Sequence, residues 1–262
     1  MKKSIVDGIA SANVKSKALR SPAHVKRFLR RYVENVPIED LQDRSEELMA
    51  RAAVDHLDLG ASRRRGQALI RIFNPTMKEH GYESTYSFVE MVNDDMPFLV
   101  DSVAAAINRH NLAVHMTVHP IIPIIRDGKG KLTGIGKAGD DEARSESFVR
   151  FAIDREIDKT ALRKLEQEIR RVLRDVRVAV RDWHTMRDRM MECRKLLERG
   201  PANVDPLLQS ESQELLRWMA DDHFTFLGYR EYALKKKGKR VFLESVDGSG
   251  LGVLSHDDRG SK

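Results

Sequence analysis

In the middle of the chain the spacing of apolar residues switches repeatedly between strand type and helix type, and this alternation constrains the fold most. Residues 86–92 form a strand-like apolar run, and residues 99–110 place apolar side chains on one helical face. Residues 112–126 are too rich in β-branched residues and proline for a helix. Residues 147–153 then predict a strand, and residues 158–173 predict a helix.

The end of this pattern has two interpretations. Residues 176–180 alternate in the strand manner, but a helix that continues through residues 176–183 stays open. With a strand there, the order is β-α-β-β-α-β, the split βαβ pattern of a ferredoxin-like domain. Upstream, residues 22–58 have helical spacing and residues 67–73 form a short strand-like run. We therefore predict an α+β fold that begins with N-terminal helices.

These patterns divide the chain into four predicted segments. They are an N-terminal helical segment (1–66), the ferredoxin-like domain (67–183), a helical linker (184–222) and the beginning of a second, truncated β-rich domain (223–262). The linker contains a Gly-Pro turn signal at residues 200–206. In the last segment a hairpin is expected, with arms at residues 223–229 and 241–243 around a turn at 235–240.

Composition excludes several classes of protein. The single cysteine, Cys193, allows neither an intrachain disulfide nor a cysteine-based zinc site, and a reduced, cytoplasmic setting is expected. No apolar run approaches the roughly 18–20 residues of a membrane span, and no secretory signal opens the chain. The net charge of +6 is concentrated in residues 1–84, which include the run Arg63-Arg64-Arg65. Such a basic surface suits nucleic acid, a membrane, or an acidic neighbouring domain.

Two residue groups suggest chemistry but have a simpler structural explanation. His115 and His119 have a metal-ligand spacing for a helix, yet on a strand they would lie roughly 13 Å apart. Asp94, Asp95 and Asp101 could supply a pair of carboxylates for acid–base catalysis. Their place at a helix start predicts instead that they accept hydrogen bonds from free backbone N–H groups.

Two further patterns lack the context that their chemistry needs. Gly248, Gly250 and Gly252 resemble a dinucleotide-binding loop, but no helix opens directly behind them. Cys193 lies on a predicted helix without an obvious base. We therefore predict no catalytic, cofactor-binding or metal-binding residue in this chain.

RNA recognition is an alternative function, because an RNA-recognition motif has the same order of elements. Residues 144–151 end in the required aromatic pattern through Phe148 and Phe151. Glu146, however, stands where an aromatic residue should stack on a base, and its carboxylate would repel phosphate. This disagreement makes RNA binding the weaker reading.

Three stretches together carry a resemblance to a known family. They are VNDDMPFLVDSV at 92–103 with His119-Pro120 behind it, Asp182-Trp183 with Met186, and WMADDHFTFLGYREY at 218–232 followed by SGLGVL at 249–254. In this order the sequence resembles the N-terminal region of the large bacterial-type NAD-specific glutamate dehydrogenases. The likeness extends from about residue 20 to residue 254.

The resemblance implies a very long enzyme subunit that converts L-glutamate, NAD and water to 2-oxoglutarate, ammonium and NADH. In such proteins the N-terminal region carries ACT-like modules of ferredoxin-like topology, so the resemblance makes residues 67–183 an ACT-like domain and residues 223–262 the start of a second one. The catalytic and NAD-binding domains lie far downstream, and no catalytic role transfers to a residue of this chain.

ACT modules commonly bind amino acids at the loop between the first strand and helix, or use their sheets to pair subunits. The matching loop here consists of Asn93, Asp94, Asp95, Met96, Pro97, Phe98 and Leu99. Phe98 stands where many ligand-binding loops have glycine, and its ring would crowd a ligand. The resemblance thus favours a regulatory and oligomerisation module over one that binds an amino-acid effector.

The partners expected from this reading are the rest of the polypeptide, further copies of the subunit and a candidate amino-acid effector, with no nucleic acid and no membrane. A free-standing amino-acid sensor stays an alternative to a region of a dehydrogenase. A reading frame that continues far beyond Lys262 would distinguish the two.

Overall fold

The computed structural model describes residues 1–42, 45–137, 139–199 and 204–255. Within them the chain has the predicted α+β composition, with helices first and a sheet after them. Two units can be separated, Met1–Leu173 and Arg174–Lys262.

The first unit begins with helices that bury one face each. In the second helix, Pro22 occupies the first turn, where its fixed φ angle favours helix and its missing N–H costs nothing. The same helix buries Phe28, Leu29 and Val33 at helical spacing. The helices are α1 (Lys2–Ser11), α2 (Pro22–Glu34), α3 (Glu39–Gln42) and α4 (Glu46–Leu59).

An antiparallel sheet of six strands, counted over the described ranges, follows the helices. The strands are β1 (Leu69–Phe73), β2 (Ser87–Asp94), β3 (Val114–Val118), β4 (Ile121–Arg126), β5 (Leu132–Ile135) and β6 (Arg144–Ile153). The order is β1-β2-β6-β4-β5, and β3 pairs with the other end of β6. The helices α5 (Met77–His80) and α6 (Leu99–Arg109) lie in the connections after β1 and β2.

The edge of the sheet beside β2 is formed by an upstream strand. In the split βαβ pattern this place belongs to the last strand, which the alternating pattern put at residues 176–180. It is taken instead by β1, which pairs with β2 in antiparallel register. The last strand of the predicted β-α-β-β-α-β order is therefore wrong, and the upstream strand β1 takes its place beside β2.

Residues 176–183 are helical, which settles the alternative that the sequence left open. They continue α7 (Lys159–Glu198). The buried residues Leu165, Ile169 and Leu173 are four apart, and this helical spacing extends to the buried Val176 and Ala179. Residues 176–180 therefore follow the helical spacing of α7, although their sequence also alternates in the manner of a strand.

Both faces of the sheet are covered, so its central strands are buried throughout. On β2, Phe88 and Val92 belong to a core shared with the N-terminal helices. Val89 and Met91 point to the opposite face and are also fully buried. That second face packs against α6 and the start of α7, whose apolar residues are buried as well.

The second unit combines the rest of α7 with a small helical and strand region. Its further elements are α8 (Pro206–Trp218), a π-helical turn (Met219–His223), β7 (Gly228–Tyr229), β8 (Tyr232–Lys237), β9 (Arg240–Ser245) and β10 (Leu251–Gly252). β7 pairs with β10, and β8 with β9. Residues 200–203 of the predicted linker and residues 256–262 of the last predicted segment lie outside the described residues.

The hairpin of this unit differs from the expected one in its first arm. The arm lies at β8 and not at residues 223–229, because Gly238 at φ +63° allows a tight turn that joins Lys237 to Arg240. Residues 219–223 instead form the π-helical turn, and only Gly228 and Tyr229 are strand.

Phe148 provides a test of this packing. It is fully buried, and its ring centroid lies 5.2 Å from that of Phe28. We expect Phe148→Ala to lower the free energy of unfolding by about 3–5 kcal/mol, measured by urea denaturation. Leu48→Ala, at a site that is 44% exposed on α4, is the control and should change it by less than about 1 kcal/mol. Similar losses for both variants would contradict the burial described here.

Candidate functional site

The loop that the sequence analysis singled out joins β2 to α6. Asn93 is fully buried at the end of β2, and Leu99 is buried at the start of α6. Between them Met96 is half-buried, whereas Pro97 and Phe98 are exposed. The structure thus brings the predicted residues together as one loop with buried ends and an exposed tip.

The two acidic residues of the loop have different partners. Asp94 accepts a hydrogen bond from Arg63 at 2.7 Å and another from the backbone N–H of Gly66 at 2.8 Å. Asp95 accepts one from the Ser147 hydroxyl at 2.8 Å. Neither caps α6, whose first turn shows no side-chain cap. The expectation that Asp94, Asp95 and Asp101 accept the free N–H groups at the start of this helix is therefore wrong for Asp94 and Asp95, whose donors lie on other elements. Asp101 lies in the first turn of α6, as expected.

Ser147 connects the loop to the break between β3 and β4. Its hydroxyl donates to Asp95 and therefore accepts from Nε2 of His119 at 3.1 Å. Burial lowers the pKa of His119, and Asp95 opposes that shift. In a serine nucleophile activated by histidine, the imidazole lies between the serine hydroxyl and the acid. Here the Ser147 hydroxyl is fully buried and lies between Asp95 and His119, so the arrangement does not match such a nucleophile. The three groups fix the loop in place.

Phe98 has a backbone conformation that glycine favours. Its φ angle is +68°, in the left-handed region, at the residue that precedes the first turn of α6. A non-glycine residue there costs about 1–2 kcal/mol. The ring is 48% exposed. Phe98 therefore has the backbone conformation that glycine would adopt in this loop, but its aromatic ring lies on the loop surface.

A buried group of charges, the Glu146 cluster (Arg63, Asp94, Arg126 and Glu146), lies behind the loop. Asp94 and Glu146 are cross-strand neighbours, which by itself is repulsive. Arg63 bridges them, and Arg126 binds both carboxylate oxygens of Glu146, at 2.7 and 2.8 Å. Burial alone raises the pKa of Glu146, but Arg126 and Arg63 outweigh it and hold that pKa below its usual range.

A second group, the Glu90 cluster (Asp55, Arg71, Tyr82, Glu90 and Arg150), spans three strands. Glu90 is fully buried between its register partners Arg71 and Arg150 and is ion-paired to both. Arg150 also donates to the Tyr82 hydroxyl at 2.8 Å. Burial raises the pKa of Glu90, but the ion pairs with Arg150 and Arg71 lower it further than burial raises it. This cluster is an internal support of the sheet.

His56 joins the Glu90 cluster to the N-terminal helices. Its Nε2 donates to the carbonyl of Met91 at 3.1 Å, so its Nδ1 accepts from the Tyr32 hydroxyl at 2.9 Å. Burial lowers the pKa of His56 to about 4. The imidazole is therefore neutral and structural at physiological pH.

The other chemical candidates remain apart. His115 pairs with Asp154 at 2.7 Å and His119 with Ser147, so the two histidines share no site. In the described part of the chain no three His, Cys, Asp or Glu side chains are placed to hold a metal. Phe148 and Phe151, the residues of the RNA alternative, are fully buried and offer no ring to a base.

Two of the stretches that carry the family resemblance meet in the second unit. The backbone N–H of Gly252 donates to Asp182 at 2.8 Å. A Cβ on Gly252 would lie 2.2 Å from the carbonyl oxygen of Leu227 and 3.1 Å from the sulfur of Met186. Gly252 also has φ +58°, so a close approach and a left-handed backbone both require glycine there. Packing explains this glycine, and no dinucleotide is needed.

No helix in the described ranges combines the length and the apolar character needed to cross a bilayer. α7, the longest, carries charged residues along its whole length.

Comparison with known proteins identifies relatives of this chain. The family model described as "Glutamate dehydrogenase, ACT1 domain" matches residues 28–169, more than half of the chain. An NAD-specific glutamate dehydrogenase of Halomonas elongata is 34% identical over 238 residues, which are 90% of this chain and 15% of that protein. One of Pseudomonas aeruginosa is 36% identical over 186 residues, 69% of this chain and 11% of that protein. One of Mycobacterium tuberculosis is 25% identical over 202 residues. The chain therefore spans only a small fraction of these relatives.

The neutral state of His56 predicts a pH dependence of stability. In the unfolded chain a histidine takes up its proton near pH 6.5, whereas folded His56 does so only near pH 4. Between these values the unfolded state binds more protons, so stability falls as the pH is lowered, by up to about 1.4 kcal/mol per pH unit. His56→Gln, which keeps a donor and an acceptor, should reduce this slope by that amount in urea unfolding at several pH values.

His184→Gln provides the comparison, since it removes an exposed histidine that forms no ion pair with a described residue. The slope of this variant should stay close to that of the unchanged chain. An unchanged slope in His56→Gln would contradict the neutral, buried state of His56.

Proposed function

Since the chain belongs to the NAD-specific glutamate dehydrogenase family, whose ACT1 domain it contains, we propose that it is the N-terminal regulatory and oligomerisation region of such an enzyme. The whole enzyme oxidises L-glutamate with NAD and water to 2-oxoglutarate, ammonium and NADH. The groups that catalyse this reaction and bind NAD lie elsewhere in the subunit. The observation that best supports this proposal is the match of the family model to residues 28–169.

The geometry of the loop supports assembly as the main role of this region. Phe98 keeps an exposed ring in a strained backbone conformation, and such strain often accompanies function. Ile121, 47% exposed, is the register partner of Ser147, which holds Asp95. The loop and Ile121 therefore lie at the same end of the sheet and offer an apolar contact surface to another subunit or to the rest of the polypeptide.

An amino-acid effector is less well supported at this loop. Asp94 and Asp95 both have protein partners already, and the ring of Phe98 occupies the tip. A ligand would have to displace these contacts. Regulation in this proposal therefore acts through contacts between subunits.

The dehydrogenase assignment is tested by activity. The complete reading frame that contains this chain, expressed and purified, should form NADH from NAD when L-glutamate is added, followed by absorbance. The 262-residue chain alone should form none under the same conditions. Absence of activity in the complete product would contradict the enzyme assignment, and NADH formation by the 262-residue chain would contradict its non-catalytic role.

The oligomerisation role predicts the effect of Phe98→Asp in the complete enzyme. A charge in a desolvated contact is costly, so we expect a shift toward smaller species in analytical ultracentrifugation at low protein concentration. Ile157→Asp, at an apolar site that is 78% exposed, is the matched control and should leave the sedimentation unchanged. Unchanged sedimentation of Phe98→Asp would exclude this loop from the subunit interface.

A further inference from the structure

A cavity of about 380 Å³ opens above the Glu146 cluster. Its wall is formed by the segment after α4, the turn between β4 and β5, and the start of β6. These parts are held together by backbone bonds, in which Arg63 donates to Gly130 and Leu132 donates to Ala61, both at 2.9 Å. The volume lies in the range of small-ligand sites.

The floor of the cavity is rigid and electrically balanced. Arg63 donates to Asp94, Glu146 and the carbonyl of Gln67. Arg126 donates to Glu146 and to two backbone carbonyls. Two guanidinium groups thus face two carboxylates. The floor positions the wall and has little capacity left for a ligand.

The rim of the cavity carries more positive than negative side chains. The side chains of Arg64, Arg65 and Arg144 are exposed and line the cavity, and they have no hydrogen bond or ion pair with any described residue. Of the four described carboxylates that line the cavity, Asp127 and Glu142 lie on this rim. Asp127 accepts hydrogen bonds from backbone N–H groups of its own turn at 2.9 Å, and these bonds favour its ionised form, so it opposes the rim arginines together with Glu142. Three guanidinium groups against two carboxylates leave the rim with an excess of positive charge, which attracts anions.

We propose that this cavity, here called the arginine cavity, binds a small anion that carries two or more charged oxygen groups. The planar guanidinium group matches the paired oxygens of carboxylates and phosphates. The described lining contains no aromatic residue, so a nucleobase would find no aromatic ring to stack on. The ligand class is therefore a compact dicarboxylate or phosphate compound. This site is separate from the exposed tip of the β2–α6 loop.

The test measures binding to the 262-residue chain by isothermal titration calorimetry with inorganic pyrophosphate and, separately, with 2-oxoglutarate. Saturable binding of at least one of them below about 10 mM is expected. Binding of pyrophosphate alone identifies a phosphate ligand, and binding of 2-oxoglutarate alone identifies a dicarboxylate. No saturable binding of either anion would overturn the proposal.

Variants then locate the site. Arg64→Gln with Arg65→Gln should weaken binding at least about tenfold, because charge-assisted hydrogen bonds are lost. Arg163→Gln with Lys164→Gln removes the same charge from exposed positions of α7 and should change affinity less than about twofold. Arg144→Gln, on β6, is an independent second variant that should also weaken binding. An equal loss of affinity in the α7 double variant would contradict binding in the arginine cavity. Because these titrations need no dehydrogenase activity, their failure leaves the proposed function standing, and the reverse also holds.

Discussion

Two buried carboxylates on neighbouring central strands control how the first unit is put together. Glu90 on β2 and Glu146 on β6 are each buried, and a buried charge without a partner costs several kcal/mol. Their guanidinium partners come from different parts of the chain, with Arg71 on β1, Arg126 on β4 and Arg63 after α4. These elements must therefore dock in one register before the sheet is stable. The apolar core supplies most of the stabilisation, and the ion pairs specify the arrangement.

Much of the fold could be predicted, because its strongest signals are periodic. The pattern at residues 86–110 gives β2 and α6, and Pro22 marks the start of α2. The sequence does not predict β5, because this strand has only four residues and includes Gly134, which weakens a strand signal. The sequence predicts residues 176–180 at the edge of the sheet beside β2, but β1 is the strand found there. Alternation within one segment does not show which strand it pairs with, so this difference could not be predicted.

At the candidate site, the position of the loop could be predicted from the sequence, but the ion pairs behind it could not. The sequence predicts that residues from Asn93 to Leu99 form one loop, and in the structure they join β2 to α6 as one loop. Glu146 appeared as an obstacle on an RNA-binding surface, although it is in fact the buried partner of Arg63, 83 residues away. Arg126, its second partner, gave no signal at all, because a lone arginine at the end of a strand is typical of an exposed position. Long-range pairing of charges is not visible in periodicity.

The early position of β1 has a consequence for synthesis of the protein on the ribosome. Every strand of the large sheet lies between Leu69 and Ile153, and its edge is closed by a segment that precedes the other strands. Had the edge strand followed α7, the sheet would stay open while a 40-residue helix was made. As built, the sheet has all its strands once Ile153 has left the exit tunnel. Because domains generally fold in order of their emergence, the exposed edge of β2 is covered before downstream chain is present to pair with it wrongly.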